Sequence, residues 1–224
     1  MPGFFITFEG GEGSGKTTQL KALLPHVHAL HGDAVQTRDP GGTAIGNQVR
    51  ELLLNGDNVR MSALAELFLY EASRAQLVQE VVRPALAAGR IVLCDRFTDS
   101  TFAYQGYGRG LDLDLVERLN TVAADRLRPD LTFLLDLDPA VGLARAAERL
   151  AHPRQPRDRL EGEVLEFHQR VRAGYLALAA REPERVVILD ATLGILELAA
   201  QIRRCVETRI GAAAPGPTAE LRVR

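Results

Sequence analysis

The 224-residue chain predicts a three-layer α/β fold: a five-stranded parallel sheet with helices on both faces. Three observations carry that expectation. Five short runs are almost continuously apolar rather than alternating, as strands covered on both faces are. Segments with a helical apolar period separate them, which supplies the crossovers that parallel neighbours need. A glycine-rich turn, Gly10-Gly11-Glu12-Gly13-Ser14-Gly15, directly follows the first run and opens the first helix.

Residues 4–8 (FFITF) are too few for a helix and rich in aromatic rings, so they read as a buried strand. Helical periodicity runs over 17–30, with Pro25 expected to interrupt it. A second strand follows at 34–37, and a helix over 45–54 stops at Asn55-Gly56. Ser62 caps a longer helix through 82, which Pro84 ends or kinks. The remaining strands fall at 91–94, 131–137 and 186–189, and the remaining helices at 113–127, 140–150, 160–180 and 193–210. Residues 1–211 read as a single domain without repeat or interior linker. The small, Pro-containing stretch 212–224 lacks any period and is expected to be a mobile tail.

Composition narrows the class. Lys and Arg number 27 against 29 Asp and Glu, a net charge of −2, so nothing favours a nucleic-acid coat or an anionic membrane surface as partner. No run approaches the roughly 20 apolar residues of a bilayer span, and the N-terminus lacks the pattern of a signal peptide. Two cysteines, Cys94 and Cys205, make no disulfide framework and suit a reducing compartment. A soluble cytoplasmic protein is expected.

The turn carries the chemistry. Gly10 to Thr17 reads G-x-x-x-x-G-K-T, placed after a strand and before a helix. Glycines let the backbone curl so that several N–H groups face one anion, and the helix N-terminus adds partial positive charge. Lys16, one of only two lysines, would reach the β- and γ-phosphates of a nucleotide, with the Thr17 hydroxyl on Mg²⁺ and Thr18 beside it. The motif alone leaves GTPases, ATPases, helicases and small-molecule kinases open. With two lysines there is no room for the N-K-x-D of a GTPase, and the length favours a small kinase.

Three further segments refine this: Arg38-Asp39-Pro40-Gly41-Gly42-Thr43 after the second strand, Asp95-Arg96-Phe97 with Ser100-Thr101-Phe102-Ala103-Tyr104-Gln105-Gly106, and an Arg-dense, Pro-broken stretch over 145–161. An Arg at a strand's C-terminal end grips phosphate with two parallel hydrogen bonds, as Lys does not. Asp95 ends an apolar strand as a magnesium-holding acid does. Tyr70 and Arg74, four apart, share one helix face.

In that order these segments closely resemble the thymidylate kinases of the nucleoside monophosphate kinase group, over nearly the whole chain to about residue 210. The resemblance implies a P-loop NTPase-type sheet in the strand order 2-3-1-4-5. It implies transfer of the ATP γ-phosphoryl to dTMP with Mg²⁺, in a homodimer. Lys16, Asp95, Arg96 and a lid arginine become the catalytic set, with Gly10 through Thr18, Arg145 and Arg149 around ATP. Arg96 would lie between donor and acceptor phosphates, with Arg38 and Arg50 on the acceptor phosphate. Tyr70 would stack on thymine, with Phe68 the neighbouring alternative, and Arg74 would bond a base carbonyl. Ser100, Thr101 and Gln105 would lie along the base, and Tyr104 beneath the deoxyribose, where it excludes a 2′-hydroxyl. Glu9 matches an acid near metal and acceptor, and Glu12 would face the acceptor's 3′-hydroxyl. Asp39 replaces a commoner Glu.

Arg145, Arg149, Arg154, Arg157 and Arg159 then form a lid over about 145–160. The turn has Gly13 and Ser14 where some relatives carry a catalytic Arg, so the resemblance assigns that charge to the lid, first to Arg149, then to Arg145 and Arg159. A kinase for UMP or CMP, and a non-catalytic nucleotide switch, remain the alternatives.

Overall fold

In a computed structural model, which describes residues 3–150 and 159–213, the chain forms one five-stranded parallel sheet in the order β2-β3-β1-β4-β5. The elements run β1 (Phe4–Glu9), α1 (Lys16–His31), β2 (Ala34–Arg38), α2 (Ala44–Leu54) and α3 (Ala63–Leu77). A π-helical segment (Val78–Val82) leads from α3 into α4 (Arg83–Ala87), followed by β3 (Ile91–Asp95) and α5 (Thr98–Thr101). A second π-helical segment (Phe102–Gly108) precedes α6 (Leu113–Ala123), β4 (Leu131–Asp136), α7 (Pro139–Leu150), α8 (Leu165–Arg181), β5 (Val186–Asp190) and α9 (Ile195–Ala213).

The central strand β1 shows why both faces are covered. Ile6 and Phe8 point into a core shared with Leu20 and Leu23 of α1 and Ile202 and Val206 of α9. Phe5 points the other way, against Leu77, Val82 and Phe97. Each of these side chains is fully or almost fully buried, a gain of about 1.5–3 kcal/mol apiece. Register aligns Phe8 with Asp95 and Glu9 with Leu134, so the ends of β1, β3 and β4 gather at one edge. Ligands bind at that edge in open α/β sheets.

Two prolines behave differently from expectation. Pro25 lies inside α1 without interrupting it; the loss of one ladder bond is outweighed by the burial of Leu20, Leu23 and Val27 against the core. Nor does Pro84 end its helix, because it follows the π-helical segment, where the hydrogen-bond repeat changes, and α4 continues to Ala87. The helical stretch 98–108, unassigned from sequence, packs closely on α8. Residues 159–162 lie in a turn, and α8 itself begins at Leu165. The tail from 214 onward lies outside the described residues, and α9 carries the helix past 211 to Ala213. No helix among the described residues is long and apolar enough to cross a membrane.

Candidate active site

The glycine-rich turn joins Glu9 of β1 to Lys16 of α1 at the sheet's C-terminal edge. Its glycines are required by contact. Gly10 has φ of 139°, and a Cβ there would sit 2.5 Å from the Leu135 carbonyl oxygen. Gly13 has φ of 65°, and a Cβ would come within 2.2 Å of the Gly142 carbonyl oxygen in α7. The loop is thus seated on β4 and α7, with Gly15 in left-handed conformation capping α1.

Lys16 donates from Nζ to the carbonyl oxygens of Gly10 (3.0 Å) and Gly11 (2.7 Å) and to Ser14 Oγ (3.3 Å). Burial, with Arg96 nearby, pulls its pKa down to about 8, against the pull of Glu12 and Asp95. Thr17 Oγ1 donates to Asp95 Oδ2 at 2.5 Å, bridging the starts of α1 and the end of β3. That pair offers hydroxyl and carboxylate oxygens side by side, the hard donors Mg²⁺ prefers. Among the described residues no group of three or more His, Cys, Asp or Glu side chains is placed to hold a metal. Water and phosphate oxygens would complete its shell.

Arg96 directly follows the end of β3 and has φ of 70°. A non-glycine residue there is strained by about 1–3 kcal/mol, a condition that concentrates at functional sites. Its amide is held by the Phe8 carbonyl at 3.0 Å. Nη2 donates to Glu12 Oε1 (2.9 Å) and the Tyr104 hydroxyl (3.2 Å). Nη1 donates at 3.2 Å to the Gly10 carbonyl, Ser100 Oγ and the Tyr175 hydroxyl. The Tyr104 hydroxyl in turn donates to Glu12 Oε1 at 2.6 Å. Burial alone would raise the Glu12 carboxyl, but Arg96, Lys16 and Tyr104 together hold it down at about 2. Glu12 is therefore an anion whose charge is already answered, which explains a carboxylate inside a phosphate cradle.

Glu9 lies beneath this cluster, fully buried. Oε1 accepts from the Phe97 amide (2.7 Å), and Oε2 from Ser100 Oγ (2.6 Å) and Tyr175 (3.0 Å). Burial, reinforced by Asp99, raises its pKa to about 7. It does not line the cleft.

The cleft itself, about 1140 Å³, exceeds the roughly 300–1000 Å³ of a typical single-ligand pocket. It is lined by Gly13–Thr18, Asp95, Arg96, Tyr70, Arg74, Ser100, Thr101, Tyr104 and Gln105, so the structure gathers those expected residues around one cleft. Tyr70 is buried and lines the cleft, whereas Phe68, two positions away on α3, is 52% exposed and does not line it.

Arg74 sits in a cage. Nε donates to Asp39 (2.7 Å), Nη1 to Glu71 (2.8 Å) and Asn120 (2.5 Å), and Nη2 to Thr101 Oγ1 (2.7 Å) and the Phe97 carbonyl (3.3 Å). All five of its N–H groups are engaged, so a base carbonyl reaching it has to share one. Burial pushes the Asp39 and Glu71 carboxyls up while Arg74 stays firmly charged between them. The shorter acid at position 39 thus has a definite task as a partner of Arg74.

Arg38 donates to Asn47 Oδ1 (3.4 Å) and Arg50 to the Pro40 carbonyl (3.1 Å), both on the cleft wall. Arg145 of α7 also lines the cleft and donates to the Ala191 carbonyl (3.0 Å). Of the other lid arginines, the Arg149 side chain and residues 151–158 lie outside the described residues. Arg159 is turned away from the phosphate end, onto Glu66 and the Leu53 carbonyl. Sequence reasoning missed Tyr175 and Glu66. Tyr175 continues the apolar stripe of Phe167 and Val171 on α8, and its polar tip was the available signal.

An all-parallel sheet in this strand order, a glycine loop capped by a helix at its central strand, and an arginine-lined cleft roomy enough for two ligands define a P-loop nucleotide kinase. A family model described as Thymidylate kinase matches residues 8–202. The thymidylate kinase of Solidesulfovibrio magneticus is 57% identical over 84% of this chain and 90% of its own length. That of Synechococcus sp. (strain JA-3-3Ab) is 54% identical over 95% and 100%. The crystal structure of thymidylate kinase from Ehrlichia chaffeensis has a TM-score of 0.75 and 33% identity, covering 92% of this chain and 99% of that one. The chain belongs to the thymidylate kinase family.

Proposed function

We propose that this chain transfers the γ-phosphoryl group of ATP to dTMP, giving dTDP and ADP. The observation that carries the reading is a single cleft with a phosphate cradle at one end, an aromatic wall of Tyr70 and Tyr104 at the other, and Arg96 between them. An oxygen of the acceptor phosphate attacks the γ-phosphorus, and the bond from that phosphorus to the oxygen it shares with the β-phosphate breaks. The protein's part is positioning and charge neutralisation. Lys16 leaves the loop carbonyls for the β- and γ-phosphates. Arg96 spans donor and acceptor, while Arg38 and Arg50 hold the acceptor phosphate. Tyr70 stacks on the base, Arg74, Ser100, Thr101 and Gln105 line its edge, and Tyr104 fills the space a 2′-hydroxyl would need.

Glu12 keeps Arg96 and Tyr104 oriented and meets the acceptor sugar, and Glu9 holds that assembly from below. Mg²⁺, held by Thr17 and by Asp95, supplies charge neutralisation on the phosphates when bound. Arg149 and Arg145 bring further positive charge over ATP. We read the protein as a cytoplasmic homodimer with neither nucleic acid nor membrane among its partners; equilibrium sedimentation checks the dimer.

A turnover panel with ATP, magnesium and dTMP, dUMP, UMP, CMP or thymidine tests the substrate. The highest kcat/KM is expected for dTMP, and UMP or CMP outrunning it overturns the reading.

A further inference from the structure

Glu66 is fully buried on α3 and is not among the residues that line the cleft. Its carboxylate collects four donors. Oε1 accepts from Gln105 Nε2 (2.8 Å) and Arg109 Nε (3.1 Å); Oε2 accepts from Arg109 Nη2 (3.1 Å) and Arg159 Nη2. Burial would raise its pKa, yet these hydrogen bonds and the Arg109 charge hold it below the usual carboxylate range.

An ionised carboxylate only accepts hydrogen bonds. The end of the Gln105 amide that faces it must therefore be the NH₂, whatever else the side chain does. With one N–H of Nε2 engaged by Glu66, Oε1 is the amide's acceptor for the cleft, which Gln105 lines beside Tyr70, Thr101 and Tyr104. Two arginines keep Glu66 charged, so the amide is not free to turn over.

We propose that Glu66 is a positioning residue for base selection, fixing Gln105 with its carbonyl towards the acceptor base. A fixed acceptor suits a ring N–H, as in thymine or uracil. It meets a lone pair where cytosine carries an unprotonated ring nitrogen, and two acceptors facing each other leave both unpaired. The inference rests on the reading that Gln105 lies against the base.

The test compares kcat/KM for dTMP, dUMP, dCMP and N3-methyl-dTMP in the wild-type enzyme and in Glu66→Gln, Glu66→Asp and Gln105→Ala. In Glu66→Gln the new amide either accepts or donates, so Gln105 is released. The dTMP:dCMP and dTMP:N3-methyl-dTMP ratios should each fall by about tenfold or more. The dTMP:dUMP ratio should not move, because both bases carry the ring N–H; a merely loosened pocket would change all three ratios. Should Glu66→Gln not fold, Glu66→Asp keeps the charge for Arg109 and Arg159 and retracts the carboxylate, and a smaller fall of the same two ratios is expected. Unchanged ratios in a folded Glu66 variant, with those of Gln105→Ala reduced, overturn the role of Glu66. If the Gln105→Ala ratios are themselves unchanged, the placement of Gln105 against the base fails, and the proposal with it.

Discussion

Two arginines stand in the same cleft, Arg74 fully buried and Arg96 part-buried, both hydrogen-bonded through several N–H groups, yet their surroundings differ. Arg74, at the base end, is enclosed by two carboxylates, an amide, a hydroxyl and a carbonyl, and every N–H is used. Arg96, at the phosphate end, meets one carboxylate and otherwise neutral oxygens at 3.2 Å. An incoming phosphate can replace those weak contacts with charge-assisted ones. One guanidinium has every N–H held by its cage; the other has contacts weak enough for an anion to displace. Lys16 follows the Arg96 pattern, resting on neutral carbonyls of its own loop.

The comparison makes opposite predictions for the two residues. Arg96→Ala should lower kcat by about 10³-fold or more while the melting temperature stays close to wild type. Near-normal kcat would remove Arg96 from the transfer step. Arg74→Ala should show the reverse emphasis: urea unfolding is expected to lose about 3–5 kcal/mol, because Asp39 and Glu71 are left buried without their cation. A loss no larger than that of Arg96→Ala would erase the distinction. Tyr104→Ala should narrow the preference for deoxy over ribo acceptors by about tenfold, measured as the ratio of kcat/KM for dTMP and its 2′-hydroxyl counterpart. An unchanged ratio would free the sugar from Tyr104.

The smallest effect concerns Glu9. Its carboxyl titrates at about 7 when folded, above its ordinary value of 4.5. As pH rises from the ordinary value, the unfolded chain gives up this proton first, so Glu9 increasingly opposes folding until pH passes the folded value. The neutral isostere Glu9→Gln escapes that penalty. Its stability relative to wild type should improve by about 1–2 kcal/mol between pH 5 and pH 8. Equal differences at the two pH values would show that Glu9 is not held protonated.

The cradle was readable because its parts are contiguous: eight residues bring the glycines, Lys16 and Thr17 together whatever the rest of the chain does. The strand runs were readable because burial on both faces leaves few polar positions. The stretch 98–108 escaped because most of it is π-helical, and its wider turn blurs the 3.6-residue period. Partnerships between distant residues also lay beyond reach. Glu9 and Tyr175 are 166 positions apart and Glu66 and Gln105 are 39 apart, and each pair meets only after the helices dock. An acid on the buried face of a helix, as Glu66 is in α3, shows that something must neutralise it but not what.

The fit of Gly13 against the Gly142 carbonyl has an evolutionary corollary. With 2.2 Å between that oxygen and the nearest atom any side chain would add, no single substitution at position 13 can install a cation in the loop without first displacing the neighbouring helix. A lineage starting from this chain would have to remodel two segments together before it could place positive charge at that position.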